Sequence, residues 1–196
     1  MRDFLNLGLR LLLICAISAG LLGATYSVTK DPIAQHLAEA SVAANKAVCS
    51  EASDFKEMNM SDLQSQAGWN DSFADVTQVL EGQKEGKTVG YVLKVNGTGY
   101  AGLIAMTVGV SPDGKYTGVS IDSQNETAGL GANATQESFR SQYVGKSSDQ
   151  EITVSKTPTT KDTEIQAISG ATITSRAVTK AINVAGQFAQ AFLVGK

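Results

Sequence analysis

The chain has 196 residues, enough for one membrane anchor and one domain of ordinary size. Hydrophobic residues make up 42% and charged residues 18%, a composition that supports a packed core and argues against disorder. The formal net charge of −3 lacks the basic excess that a nucleic-acid surface requires, so no nucleic-acid partner is expected.

Residues 11–29 carry no charge and are bounded by Arg10 and Lys30. A helix needs roughly 20 apolar residues to cross a bilayer, so residues 1–30 read as a single transmembrane anchor. Arg2 and Arg10 precede the apolar run, which puts the N-terminus in the cytoplasm and the rest of the chain outside the cell membrane. A cleavable signal peptide would have a shorter apolar core and a small-residue cleavage site, which Ala16, Ser18, Ala19 and Ala24 imitate. A lipoprotein signal would place a small residue before Cys15, where Ile14 stands. The uncleaved anchor is the reading adopted.

Residues 31–72 read as a helical stalk or scaffold. Pro32 suits a first helical turn, and Ile33, Leu37, Ala40, Ala44, Ala47 and Val48 recur at helical spacing up to a second short helix near Ser61–Gly68. From Phe73 the pattern changes, and residues 73–196 form one domain. Val76, Gln78 and Leu80 lead into a turn at EGQKEGK, and Thr88 to Val95 alternates, so the two runs form a hairpin. Leu103 to Val110 is a third strand. Pro112-Asp113-Gly114 turns the chain into a fourth strand from Lys115 to Ile121. Gln136 to Tyr143 reads as a short helix and Ile152 to Ser155 as another strand. Val178, Ala181, Ile182, Ala185, Phe188 and Phe192 form the apolar face of a last helix, with Thr174 or Ser175 as its N-cap. The fold class is α+β: a transmembrane helix followed by a mainly antiparallel sheet packed by helices.

Two cysteines, Cys15 and Cys49, lie at different depths and do not suit a disulfide. They are too few for an iron–sulfur cluster, and His36, the single histidine, leaves no zinc site. Redox chemistry would therefore come from an organic cofactor or a partner.

Two segments break the strand and helix patterns while being rich in glycine and hydroxyls. In Asn125-Glu126-Thr127-Ala128-Gly129-Leu130-Gly131-Ala132-Asn133, two glycines flank a leucine, so the backbone can take positive φ or approach a bulky group. Read alone it imitates a dinucleotide fingerprint, but that needs a parallel βαβ unit; a plain Gly-rich loop before a helix is an equal alternative. In Ser169-Gly170-Ala171-Thr172-Ile173-Thr174-Ser175, a hydroxyl cluster meets the start of the last helix. Helix N-termini stabilise phosphate through free N–H groups and the dipole. Such a cluster also serves simply as a cap.

At these segments the chain resembles the FMN-binding subunits of ion-pumping respiratory complexes: the G subunits of Rnf complexes and, as cousins, the C subunits of the sodium-pumping NADH:quinone reductase. The likeness takes in the anchor ending in VTKDPIA, GTGYAG before a strand, PDGKYTGVSI, NETAGLGANA and SGATITS, in that order. It implies FMN held covalently, as a phosphoester on Thr172, placed there from FAD by a flavin transferase. It also implies that Glu126, Thr127, Gly129, Leu130 and Gly131 lie against the flavin. Leu130 would pack on a ring face, and Glu126 and Thr127 would hydrogen-bond ring or ribityl atoms. Ser169, Gly170, Ala171, Thr174 and Ser175 would surround the phosphate, and Lys156 matches a family lysine before the last motif. Two positions depart from the family: Ala128 stands where it has proline, and Gln166 where its transferase pattern has aspartate. The implied function is an electron-carrier subunit of a ferredoxin:NAD oxidoreductase that moves Na+ or H+. Its implied partners are the other Rnf subunits, notably the D subunit, the flavin protein of the membrane part. A component of the quinone reductase, a free-standing extracytoplasmic flavin reductase and a non-redox membrane-anchored binding domain are the alternatives.

Overall fold

One helix, α1, runs from Arg2 to Val48 in the computed structural model, which describes residues 2–195. From Phe4 onward it is long and apolar enough to cross a membrane. Its leucines and isoleucines between Phe4 and Leu22 are exposed, as lipid-facing side chains are. The hydroxyls of Thr25, Ser27 and Thr29 donate to the carbonyls of Leu21, Gly23 and Thr25 at 2.9 Å, so their polar groups are satisfied within the helix. Pro32 does not open a second helix, as the sequence suggested, but lies inside α1. The missing proline N–H costs one backbone bond there.

The chain forms two compact units, Met1–Ser41 and Val42–Lys196. The second holds a five-stranded antiparallel meander in sequential order: β1 (Asp54–Glu57), β2 (Val76–Lys84), β3 (Lys87–Thr98), β4 (Leu103–Val110) and β5 (Tyr116–Ser123). Strands β2 and β3 continue into the stretch read as a turn and leave only Glu85 and Gly86 at the tip, both with positive φ. That is the two-residue hairpin geometry that matches strand twist.

Helix does not persist through residues 49–68. The chain instead forms edge strand β1, and only Met60–Gln64 (α2) is helical there. Asn59 caps α2 by accepting from the Ser61 N–H at 3.0 Å.

Helix α3 spans Glu137–Arg140, followed by a 3-10 turn over Ser141–Tyr143. Two short parallel strands, β6 (Thr153–Ser155) and β7 (Glu164–Gln166), come before α4 (Thr172–Phe192). The apolar face read for α4 is buried at every position from Val178 to Phe192, and α4 packs on β3 and β4. Each large side chain so buried contributes about 1.5–3 kcal/mol. Phe73 and Trp69 cap this core against Phe188 and Phe192, with Phe73 meeting Phe188 edge-on at 5.5 Å.

A smaller apolar cluster joins Val48, Cys49, Ala52, Leu80 and Val92. Here the end of α1 lies against glycines of the sheet. A Cβ built on Gly109 would stand 2.3 Å from the Val48 carbonyl oxygen, and one on Gly118 2.9 Å from the Val48 Cα. Thr117 donates to that same carbonyl. Backbone meets backbone at this contact, and glycine is what lets it.

Candidate functional site

Helix α4 begins without a side-chain cap. Its N-cap residue is Ala171, not Thr174 or Ser175 as the sequence suggested, and both of those lie within the first turn. The first N–H groups of a helix have no intrahelical acceptor. Those of Thr172, Ile173 and Thr174 are the groups concerned, because the Ser175 N–H already donates to the Ala171 carbonyl at 3.0 Å.

The hydroxyls are used differently. Ser175 is fully buried; its Oγ accepts from the Ile168 N–H at 3.0 Å and donates to the Ala171 carbonyl at 2.9 Å, which pins the turn before the helix. The same turn needs Gly170, whose φ of +73° favours glycine. Thr179 donates to the Ser175 carbonyl and shares a hydrogen bond of 2.8 Å with the Tyr143 hydroxyl, so the first turn of α4 rests on a buried polar chain. Burial pushes the Tyr143 hydroxyl far above its ordinary value, so it stays protonated. Thr174 donates to Glu126 Oε2 at 2.5 Å. Thr172 makes no side-chain hydrogen bond among the described residues, and it is half-buried.

Beside this helix start lies a cleft of about 520 Å³, lined by Tyr100, Glu126, Thr127, Leu130, Gly131, Gly170, Ala171, Thr172, Ile173 and Thr174. The volume falls in the range of small-molecule and cofactor sites. The rim is apolar and open: Tyr100 is 71% exposed, Ile173 58% and Leu130 42%. The floor is polar and closed, since Glu126 is buried. Gly131 allows this closeness: a Cβ there would stand 2.6 Å from both Glu126 Oε2 and Thr174 Oγ1.

The two segments marked in the sequence therefore meet, 48 residues apart, through the Glu126–Thr174 bond. Gly129, with φ of +77°, shapes the loop without lining the cleft. Ser169 is exposed in the turn before α4, and Ser175 lies beneath the helix start. Lys156 sits on an exposed bend after β6, outside the lining. Tyr100 and Ile173 line the cleft but were not singled out by sequence reasoning. Tyr100 stood inside the quoted GTGYAG, where an aromatic between glycines was the available signal. Gln142 brackets Gln166, donating to its carbonyl at 3.3 Å and accepting from its N–H at 2.6 Å. No group of His, Cys, Asp and Glu among the described residues could hold a metal.

Residues 99–187 match the family described as FMN-binding domain, a span that contains the whole cleft. Fold and cleft thus define the class: an FMN-binding domain following a helix able to cross a membrane. The chain is 37% identical over 186 residues to the G subunit of the proton-translocating ferredoxin:NAD(+) oxidoreductase complex of Clostridium ljungdahlii, covering 95% of this chain and 91% of that one. It is 38% identical over 191 residues to the G subunit of the Na(+)-translocating ferredoxin:NAD(+) oxidoreductase complex of Acetobacterium woodii, covering 94% and 91%. The chain belongs to this family of G subunits. Among solved structures, the C subunit of the Na(+)-translocating NADH-quinone reductase from Parabacteroides distasonis aligns with a TM-score of 0.56 at 23% identity, over 74% of this chain and 79% of that one; this is a likeness of fold.

Proposed function

We propose that this chain is the electron-carrier subunit of a membrane-bound, ion-translocating ferredoxin:NAD oxidoreductase, holding FMN as a phosphoester on Thr172. Residues 1–30 anchor it, with the N-terminus cytoplasmic and the FMN domain on the other side of the membrane. Residues 31–72 link that anchor to the rest of the domain. Its partners are the other subunits of the complex, with the membrane flavin protein, the D subunit, as electron neighbour and a flavin transferase acting in maturation.

The observation that carries the reading is the placement of Thr172: an unengaged hydroxyl on the first residue of an uncapped helix, in the wall of a cofactor-sized cleft. The residues present fit the group. Thr172 would exchange its hydroxyl proton for the FMN phosphoryl group of FAD, with AMP leaving. The resulting diester keeps one negative charge, which the first-turn N–H groups of α4 stabilise. Gly131 leaves room for the Glu126–Thr174 contact and Gly170 for the Leu130 side chain, and Leu130, Ile173 and Tyr100 supply apolar surface at the rim. FMN, when bound, supplies the electron exchange, and the protein supplies position and electrostatics. Several expected roles change: both oxygens of Glu126 already accept hydrogen bonds from the protein, the Thr174 and Ser175 hydroxyls are engaged within it, and Gly129 and Lys156 lie outside the cleft lining.

A covalent tether suits a carrier outside the cytoplasm, because the cofactor cannot diffuse away. The test is direct. Protein made together with an active flavin transferase is denatured and run on a gel under ultraviolet light. A flavin-fluorescent band at the chain's mass is the expected result, and a dark band would contradict the reading.

A further inference from the structure

We infer that Glu126 is a positioning residue: it clamps the Tyr100 loop to the start of α4 and places a fixed negative charge in the cleft, without itself binding the flavin.

The clamp is visible in the hydrogen bonds. Oε1 accepts from the Ala101 N–H at 2.8 Å and Oε2 accepts from the Thr174 hydroxyl. The Glu126 N–H donates to Gln124 Oε1 at 2.6 Å, which fixes the backbone from which the side chain projects. Three segments far apart in the chain, at residues 101, 126 and 174, are tied by one side chain. The loop held at Ala101 is a tight one, closed by the Gly99 N–H donating to the Gly102 carbonyl at 2.8 Å, and it presents Tyr100 at the rim. Without the clamp, nothing else among the described hydrogen bonds ties this loop to α4. Beside the packing of β3 on α4, where Gly97 lies against Ala177 and Ala181, Glu126 is thus the hydrogen-bonding link between two walls of the cleft, Tyr100 and the Thr172 helix start.

The surroundings are built around this carboxylate. A Cβ on Gly99 would stand 2.4 Å from Oε1, and one on Gly131 2.6 Å from Oε2. Glu126 makes no ion pair among the described residues. Both oxygens act as acceptors, the pattern of a carboxylate. Its counter-charge is the positive end of the α4 dipole, reached through Thr174 in the first turn, and α4 has no acidic residue of its own there. Glu126 therefore supplies in trans the negative group that the helix start lacks. A fixed negative charge beside a cofactor that gains electrons disfavours the reduced form, so Glu126 holds the potential down.

Glutamine separates clamp from charge. In Glu126→Gln the amide oxygen can still accept from Ala101 and the amide nitrogen can donate to Thr174, whose hydroxyl is able to accept. Glu126→Ala removes both. The experiment uses the full-length chain in detergent. In flavin-free protein, amide hydrogen exchange at Ala101 is expected to be slow in the parent and in Glu126→Gln, and about tenfold or more faster in Glu126→Ala. Equal protection in all three would overturn the clamp. The second arm rests on FMN being carried at Thr172. With the transferase co-expressed, Glu126→Gln is expected to load like the parent and to show a more positive flavin midpoint potential in a redox titration, while Glu126→Ala loads several-fold less. An unchanged potential in Glu126→Gln would overturn the charge. Poor loading of Glu126→Gln with normal exchange protection and melting would overturn the positioning role and make Glu126 a direct ligand. A parent that takes no flavin would refute the Thr172 reading, and the exchange arm would still decide the clamp.

Discussion

Replacing Gly109 by alanine should detach the end of α1 from the sheet. The added Cβ would stand 2.3 Å from the Val48 carbonyl oxygen and 2.4 Å from Thr117 Oγ1. No flexible side chain can absorb this, because the first obstacle is backbone. Overpacking of this kind costs about 1–3 kcal/mol. Losing the Thr117–Val48 hydrogen bond adds about 1 kcal/mol. A local destabilisation of about 2–4 kcal/mol corresponds to a roughly 30- to 700-fold larger opening equilibrium. Cys49 reports it directly. The thiol is buried beside Val48, and burial pushes its pKa above the ordinary value, with Glu51 adding to the rise. In a Cys15→Ser background, maleimide labelling of Cys49 should be slow in the parent and faster by that factor in Gly109→Ala. A urea titration followed by Trp69 fluorescence should show the loss of stability in parallel. Labelling and midpoint indistinguishable from the parent would refute the argument that glycine is required by this contact.

Four further outcomes are expected. Gly129→Ala meets no atom within 4 Å, so its cost should come from the positive φ alone, about 1–2 kcal/mol, and Gly129→Asn should recover part of it in thermal melts. Asn183→Ala removes a buried side chain that accepts from the Ile152 N–H at 3.0 Å and donates to the Ile152 carbonyl at 2.8 Å; a loss of about 2–4 kcal/mol is expected by denaturant titration. Lys156→Ala, outside the cleft, should leave FMN loading unchanged when measured by absorbance per chain. Hydrogen bonds from Lys161 and Thr159 hold the Glu164 carboxyl below its ordinary value, so its contribution is present above the usual carboxylate range and lost as pH falls through the lowered value. The acid limb of the melting profile should therefore flatten slightly in Glu164→Gln.

The strands from Val76 to Ser123 were legible because apolar residues such as Tyr91, Leu93 and Val95 recur at every second position toward the main core, even though Leu80 and Val92 bury part of the opposite face as well. The apolar stripe of α4 was legible for the same reason. Strand β1 was not: Asp-Phe-Lys-Glu is short, charged and at the sheet edge, so its burial leaves no periodic mark. The continuity of α1 through Pro32 was missed because proline reads as a boundary, while a long helix absorbs the single lost bond. At the cleft, the two glycine- and hydroxyl-rich segments were visible as departures from periodicity. Their meeting through Glu126 and Thr174 is tertiary and had no local signal. The same holds for the cap: a hydroxyl cluster before a helix suggests capping, yet Thr174 and Ser175 point their hydroxyls to Glu126 and to the turn at Ile168–Ala171. Tyr100 escaped notice because its role depends on a loop held from 25 residues away.

The central claim is that Thr172 carries the flavin. Its most direct test is intact-mass analysis with tryptic mapping of the chain co-expressed with an active flavin transferase, alongside Thr172→Ala. The account predicts a gain of one FMN less one water in the parent, carried on the peptide from Asp162 to Arg176 and fragmenting to Thr172, with no gain in the variant. That result would also show that Gln166 is compatible with modification. No gain in either protein, with the transferase proven on another substrate, or a gain that persists in Thr172→Ala on Ser169 or Thr174, would contradict it.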